Sequence, residues 1–210
     1  EKGKRISRNK TGTRIRFWSD RDIFDPEARI DIDQVRERVV QACFLVPGIK
    51  IRVVDKRSGG SAEPFEFVSR GGLADLVDHL SSGGNACEVI TLSGIDTFTE
   101  RVPVDGKMTD VLRECIVEVA LRWVKGYETR VESFVNTIPT SHGGTHTAGF
   151  DRALTRAVND VLLKDTRKLA KLARDNKHRA VREDVQEGLV AACKVVFAEP
   201  QFRGQTKQEL

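Results

Sequence analysis

The sequence predicts an α+β domain, on three observations. Runs of strand-forming residues follow one another rather than alternating with helices, short helical segments are grouped around them, and a long basic helical segment precedes the last apolar run. The portion from about 13 to 95 reads as two or three strand–helix units, and that from about 96 to 210 as antiparallel strands with the long helix. The two are expected to share one sheet and make one domain, which a length of 210 residues accommodates.

Residues 1–12 are basic and polar and read as a linker. Arg14-Ile15-Arg16-Phe17-Trp18 alternates polar and apolar side chains, the period of a strand with one buried face. Asp31 and Asp33 offer helix N-caps, with Glu37 behind them. Val35, Val39 and Ala42 keep helical spacing to about Phe44, and Pro47-Gly48 ends the helix. Ile49 to Val53 and Pro64 to Val68 are strands joined by a Gly- and Ser-rich turn at 56–61. After Gly71-Gly72, Leu73, Leu76, Val77 and Leu80 fall on one face of a short helix. Strands follow at Glu88 to Leu92, Thr97 to Pro103, Cys115 to Trp123 and Val131 to Thr137, with Asp105-Gly106-Lys107 as a loop between the second and third. Leu154, Val158, Val161, Leu162, Leu169 and Leu172 make Arg152 to Arg182 helical, with Thr145 or Thr147 as its cap. A helical turn at Glu183 to Leu189 leads to a last strand, Val190 to Phe197. Trp18 and Trp123 lie on strands and read as core; Glu114 and Glu118 have no obvious partner.

Composition narrows the function. Hydrophobic residues are 39% and charged residues 31% of the chain, as in a globular domain with a core. No apolar run is long enough to span a membrane, and Glu1 to Arg5 lacks the apolar stretch of a signal peptide. The start on Glu1 instead of Met reads as a trimmed chain. Cys43, Cys87, Cys115 and Cys193 form no Cys-x-x-Cys pair and sit mostly among apolar neighbours, so they read as free thiols in a reducing cytosol. Arg152 to Arg182 carries ten Lys and Arg against three Asp. That segment is therefore +7 while the whole chain is +4. Such a stripe attracts a phosphate backbone or simply forms a solvated helix face.

Two short motifs bear on chemistry. His142 and His146 are four apart, but Gly143-Gly144 between them makes a turn rather than a helical ligand face, so no metal is expected. His146 is expected to bond backbone at the start of the long helix. After Glu199-Pro200-Gln201-Phe202, Gly204-Gln205-Thr206-Lys207-Gln208-Glu209 reads as a loop that reaches outward.

These motifs resemble, in order and spacing, the transducer domain of type IIA DNA topoisomerase B subunits, the DNA gyrase B and topoisomerase IV B families. The resemblance runs from Thr11-Gly12-Thr13 and Phe17-Trp18-Ser19-Asp20 through Asp55-Lys56-Arg57 and Gly71-Gly72. It continues through Ser133-Phe134-Val135-Asn136, Gly143-Gly144-Thr145-His146 and Gly149-Phe150. Arg182-Glu183-Asp184-Val185-Gln186-Glu187-Gly188-Leu189 and Gln205-Thr206-Lys207 complete it. The chain departs from the family in having Thr137-Ile138-Pro139 after Asn136, and His142 where an acidic residue is common.

The resemblance implies a ribosomal-protein-like fold with a left-handed β-α-β crossover and a mixed sheet with helices on one side. It implies a transducer domain over 13–210, entered through the 1–12 linker from an upstream ATP-binding domain. Lys207 would be catalytic, with Gln205 and Thr206 beside it on the terminal phosphate of ATP. Arg152, Arg156 and Lys164 would face duplex DNA. ATP and Mg2+ would serve the complete protein, with no cofactor in this fragment and no turnover by it alone. The implied partners are a topoisomerase A subunit, double-stranded DNA and a second copy of the same chain, in the cytoplasm at the nucleoid. Two other readings stand beside it: a non-enzymatic nucleic-acid-binding module, and the equivalent domain of a mismatch-repair ATPase.

Overall fold

The structure is a computed structural model that describes residues 11–25, 27–57, 59, 63–82, 84–164 and 179–210. The expected linker, apart from Thr11 and Gly12, and the second half of the long basic segment, 165–178, lie outside the described residues.

The first helix, α1 (Ile32–Leu45), starts where the sequence offers a cap. The Asp31 carboxylate accepts from the backbone N–H of Asp33 at 2.9 Å and of Gln34 at 3.4 Å, which satisfies two of the donors a helix start leaves open. Strands β1 (Lys50–Val53) and β2 (Phe65–Val68) pair antiparallel as a ribbon. Then comes α2 (Leu73–Leu80), whose Leu73, Leu76, Val77 and Leu80 are all buried.

The main sheet has five strands: β3 (Ile90–Val104), β4 (Lys107–Trp123), β5 (Arg130–Val135), β6 (Ile138–Pro139) and β7 (Leu189–Phe197). Their order is β3-β4-β7-β5-β6. Strand β7 is central, antiparallel to β4 and parallel to β5, so the sheet is mixed. Its run Leu189-Val190-Ala191-Ala192-Cys193 is buried throughout, the pattern of a strand covered on both faces. Between β5 and β7 the chain passes through β6, α3 (Thr145–Lys164) and α4 (Arg182–Gln186), a β-α-β connection between adjacent parallel strands.

Alternate residues divide the core into two layers. Ala120, Phe134, Val190 and Ala192 meet Phe44, Leu45, Leu76, Val77 and Leu80 of α1 and α2. Val119, Leu121, Leu189, Ala191 and Cys193 point the other way and meet Phe150 and Leu154 of α3. The α+β class with a mixed sheet is as expected. Helices α1 and α2 gather on one side of it, and α3 lies across the other face.

Four expectations are corrected. Residues 14–18 form no strand: no neighbouring strand pairs with them among the described residues, and Ile15, Phe17 and Trp18 are more than two-thirds exposed, so Trp18 is not core. The single shared sheet is instead a two-stranded ribbon and a five-stranded sheet. The strands expected at 88–92 and 97–103 are one strand, β3, which pairs with β4 over its whole length. Strand β7 meets β4 only from Cys115 to Trp123, so residues 97–114 project past the sheet as a two-stranded arm. Asp105 and Gly106 turn the arm with φ of 49° and 78°, both left-handed, as a two-residue hairpin requires. Finally, Glu118 has a partner. The Lys194 ammonium donates to its carboxylate at 2.7 Å and to the Leu45 carbonyl, at the C-terminus of α1, at 3.2 Å.

Trp123 is half-buried and its ring N–H donates to the Val185 carbonyl at 2.9 Å. All four thiols are free; Cys43 and Cys193 are buried, and burial pushes the Cys193 thiol up to about 11. Among the described residues no helix is long and apolar enough to cross a membrane.

Candidate functional site

The loop at the end of the chain is built from three anchors. At its entry, Phe197 ends β7. Asn136, just past β5 with a φ of 57°, clamps it: the side-chain amide donates to the Phe197 carbonyl at 3.3 Å and accepts from its N–H at 3.2 Å. Phe98 of the arm stands edge-on to the Phe197 ring at 5.9 Å. The second anchor closes the loop on itself. The Arg203 N–H donates to the Glu209 carbonyl at 2.9 Å, and the two side chains pair at 3.3 Å.

The third anchor joins two motifs that lie far apart in sequence. The His142 N–H donates to the Gln208 carbonyl at 2.9 Å, and the Leu210 N–H to the Gly143 carbonyl at 3.2 Å. The Thr145 N–H, at the start of α3, donates to the Leu210 carbonyl at 3.4 Å. This contact is why a Gly-Gly turn stands there. Gly143 and Gly144 have φ of 71° and 141°, and a Cβ on Gly144 would lie 2.5 Å from the Leu210 carbonyl oxygen. Thr147, in the first turn of α3, accepts from the Gly144 N–H at 3.0 Å, as the N3 side of a capping interaction does.

Between these anchors Gln205, Thr206 and Lys207 stand exposed. Lys207 has a left-handed φ of 56°, and its N–H reaches back to the Gly204 carbonyl at 3.4 Å. Its ammonium lies 5.8 Å from the centre of the Phe202 ring, and no carboxylate among the described residues pairs with it. The result is an unneutralised cation on a short loop whose two ends are fixed, which suits an anionic group approaching from outside.

His146 sits under the Gly-Gly turn. Its Nε2 lies 3.0 Å from the Thr140 hydroxyl, and that hydroxyl lies 2.7 Å from the Ser133 hydroxyl. In place of the expected bond to backbone, His146 joins a chain of side chains through Thr140, just past β6, to Ser133 of β5. The Nδ1 atom is buried with no hydrogen-bond partner, and burial holds the imidazole below its ordinary value of 6.5. A folded-state value below the unfolded one means that the neutral ring adds stability above pH 6.5, which is lost as pH falls towards the lowered folded value. The urea midpoint is expected to drop between pH 7 and pH 5, and His146→Asn to flatten that drop. No group of three His, Cys, Asp or Glu that could hold a metal ion occurs among the described residues.

The basic residues lie on α3. Arg152 donates from Nε to the Ala148 carbonyl at 3.1 Å, and Arg156 stands 3.9 Å from Asp160 while remaining largely exposed. The structure brings these two together with Arg179 and Arg182, beyond the three residues expected to face DNA, around a groove of about 490 Å³ that Asp151 and Asp160 also line, Asp151 pairing with Arg182 at 3.0 Å. Asn159 builds the groove's floor: its amide donates to the Ala180 carbonyl at 2.9 Å and accepts from the Ala180 N–H at 3.0 Å. Lys164, at the end of α3, does not line it.

Known proteins align with these features. The DNA gyrase B family profile matches residues 72–210, beginning at the glycine that opens α2 and leaving α1 and the β1–β2 ribbon outside. Sequence relatives extend further. The chain is 36% identical over 202 residues to the DNA gyrase B protein of Streptococcus pneumoniae, which covers 96% of this chain and 28% of that protein. It is 38% identical over 207 residues to the DNA gyrase B protein of Treponema pallidum, covering 99% and 30%. The chain thus spans less than a third of these relatives' length. Among solved structures, the 43K ATPase domain of Thermus thermophilus gyrase B, in complex with an aminocoumarin, superposes with a TM-score of 0.59 at 29% identity, over 88% of this chain and 44% of that one. The topoisomerase IV ATP-binding domain of Francisella tularensis shares the fold, with a TM-score of 0.60 at 20% identity over 92% and 45%. With the family profile over two-thirds of its residues and relatives over nearly all of them, the chain belongs to the DNA gyrase B family of type IIA topoisomerases.

Proposed function

We propose that this chain, over residues 13–210, is the transducer portion of an ATP-dependent type IIA topoisomerase of the gyrase B kind. Its lysine loop completes an ATP site held by an upstream portion of the protein and reports the state of the nucleotide. The observation that carries this reading is the clasp between the Gly143-Gly144 turn and Gln208 to Leu210, which fixes the loop's exit while Lys207 stays exposed and without a carboxylate partner among the described residues.

The residues present fit a triphosphate. Bound ATP with Mg2+ supplies the phosphoryl group and the charge that develops on it. Lys207 would lay an ammonium against the terminal phosphate, beside the bridging oxygen that takes up negative charge as the bond to the leaving diphosphate weakens. Gln205 and Thr206 offer hydrogen bonds to the same oxygens. The loop is held while the terminal phosphate is present and released once it leaves. Because the loop continues directly from β7, the central strand, that release bears on the whole sheet. The wider partners are those of the family: a second copy of this chain, the topoisomerase A subunit and duplex DNA, in the cytoplasm. The groove of Arg152, Arg156, Arg179 and Arg182 favours sequence-independent phosphate contact with that DNA, with Lys164 adding charge at the helix end.

Hydrogen exchange in the full-length protein tests the reading. Amides of residues 203–207 are expected to slow when a non-hydrolysable ATP analogue is added and to remain fast with ADP. Equal protection by both nucleotides would refute a loop that senses the terminal phosphate.

A further inference from the structure

We infer that Arg113, on the β4 side of the projecting arm, is a positioning residue for the lysine loop. The arm is thus a further support of that loop, beside the three anchors already described, and moves with it. The inference rests on the proposed role of Lys207.

The argument begins with Glu199, one residue before Pro200 on the path from β7 to the loop. Its φ of 56° is left-handed, a conformation that is costly for a non-glycine residue and that surrounding contacts must offset. Arg113 supplies such a contact. Its Nη2 donates to the Glu199 carboxylate at 2.5 Å and its Nε to the Glu100 carboxylate at 3.1 Å. Glu100 in turn accepts from the Gln201 side-chain amide at 2.9 Å. One guanidinium and one carboxylate of the arm therefore grip both residues that flank Pro200. Arg113 and Glu100 are each about one-fifth exposed, so the grip is partly shielded from water.

The placement gives the grip a consequence. Glu100 and Arg113 lie just past Cys115, the last residue of β4 that β7 pairs with, and so belong to the arm rather than to the sheet. The chain leaving Phe197 has no ladder to follow, and the arm supplies its next contacts. Phe98 against Phe197 and Glu100 with Gln201 come from β3, and Arg113 with Glu199 from β4. A tilt of the arm reaches the loop within six to eight residues of Lys207. Lys207 touches the nucleotide in this scheme; Arg113 acts only through it.

ATP turnover by the full-length protein tests this, using R113Q, E199Q and each combined with K207A. E199Q is included because Glu199 is largely exposed and its change leaves the Arg113–Glu100 pair in place. R113Q is expected to lower kcat about tenfold to a hundredfold, the scale of a catalytic group displaced by about an ångström, with KM for ATP changed by less than about threefold. E199Q should act in the same direction. In the K207A background both changes should have no further effect, because the group they position is gone. Hydrogen exchange of 199–207 should rise in both single variants. An equal fall in the K207A background, or full turnover in both single variants, overturns the inference. Unchanged turnover in K207A alone overturns the role of Lys207 itself, and is read separately from the R113Q result.

Discussion

Lys207→Ala in the full-length protein is expected to lower ATP turnover by about a hundred- to a thousandfold, with circular dichroism unchanged. The size follows from the type of contact. Loss of one preorganised donor to a developing negative charge costs roughly 2.7–4 kcal/mol when the site is shielded from water. The fold has no stake in the side chain: Lys207 is exposed, pairs with no carboxylate among the described residues and rests only near the Phe202 ring. The loop backbone is kept by other groups, the Arg203–Glu209 closure and the Gly143-Gly144 clasp. A residue so placed can be removed without unfolding anything, and a loss of turnover then reports chemistry. Unchanged turnover would make the loop structural. The basic groove on α3 would then lead, and with it the reading as a nucleic-acid-binding module.

What was legible in the sequence follows from the range of the interactions. Helix α2 could be read residue by residue because Leu73, Leu76, Val77 and Leu80 face one direction within eight residues. The Asp31 cap and the apolar run of β7 are local in the same way. The lysine loop was visible as a motif, but its support was not. Arg113 and Glu199 are 86 residues apart, and Asn136 and Phe197 are 61 apart. No periodicity connects such pairs; only the sheet order does. The arm has a local signal: Asp105-Gly106 reads as part of a loop between strands, and in the structure it is the two-residue hairpin turn that joins β3 and β4 into one continuous pair. Trp18 shows the converse failure. Its alternating segment has the pattern of a strand, but a pattern needs a partner to bury it, and none is present among the described residues. Arg179 and Arg182 joined the basic groove only because Asn159 ties Ala180 to α3, a link invisible in a charge count.

Gly144→Ala is expected to detach Gln208 to Leu210 from the Gly-Gly turn and to take much of the activity with it. The new Cβ would stand 2.5 Å from the Leu210 carbonyl oxygen and 2.7 Å from its nitrogen, both backbone atoms with no flexible end to move aside. The residue also has a φ of 141°, which side-chain-bearing residues rarely adopt. Backbone strain and the clash together amount to about 2–4 kcal/mol, more than the few exposed hydrogen bonds of the clasp return. The cheaper outcome is release of Gln208 to Leu210. The Leu210 and His142 amides, which donate across the clasp, should then exchange faster by on the order of a hundredfold, the equivalent of about 2.7 kcal/mol. The core, held by β4, β7 and α1 to α3, should keep its protection. Gly149→Ala is the control: it lies in α3, the helix that Gly144 precedes, with nothing within 4 Å of the added Cβ, so the clasp amides should be unaffected and α3 slightly stabilised. Turnover in the full-length Gly144→Ala protein should fall towards that of Lys207→Ala, since Lys207 without a fixed exit no longer meets the phosphate in one position. A Gly144→Ala protein with normal turnover but fast exchange at Leu210 would mean that the clasp only holds Gln208 to Leu210 in place, and that Arg113 and Asn136 suffice to hold the loop.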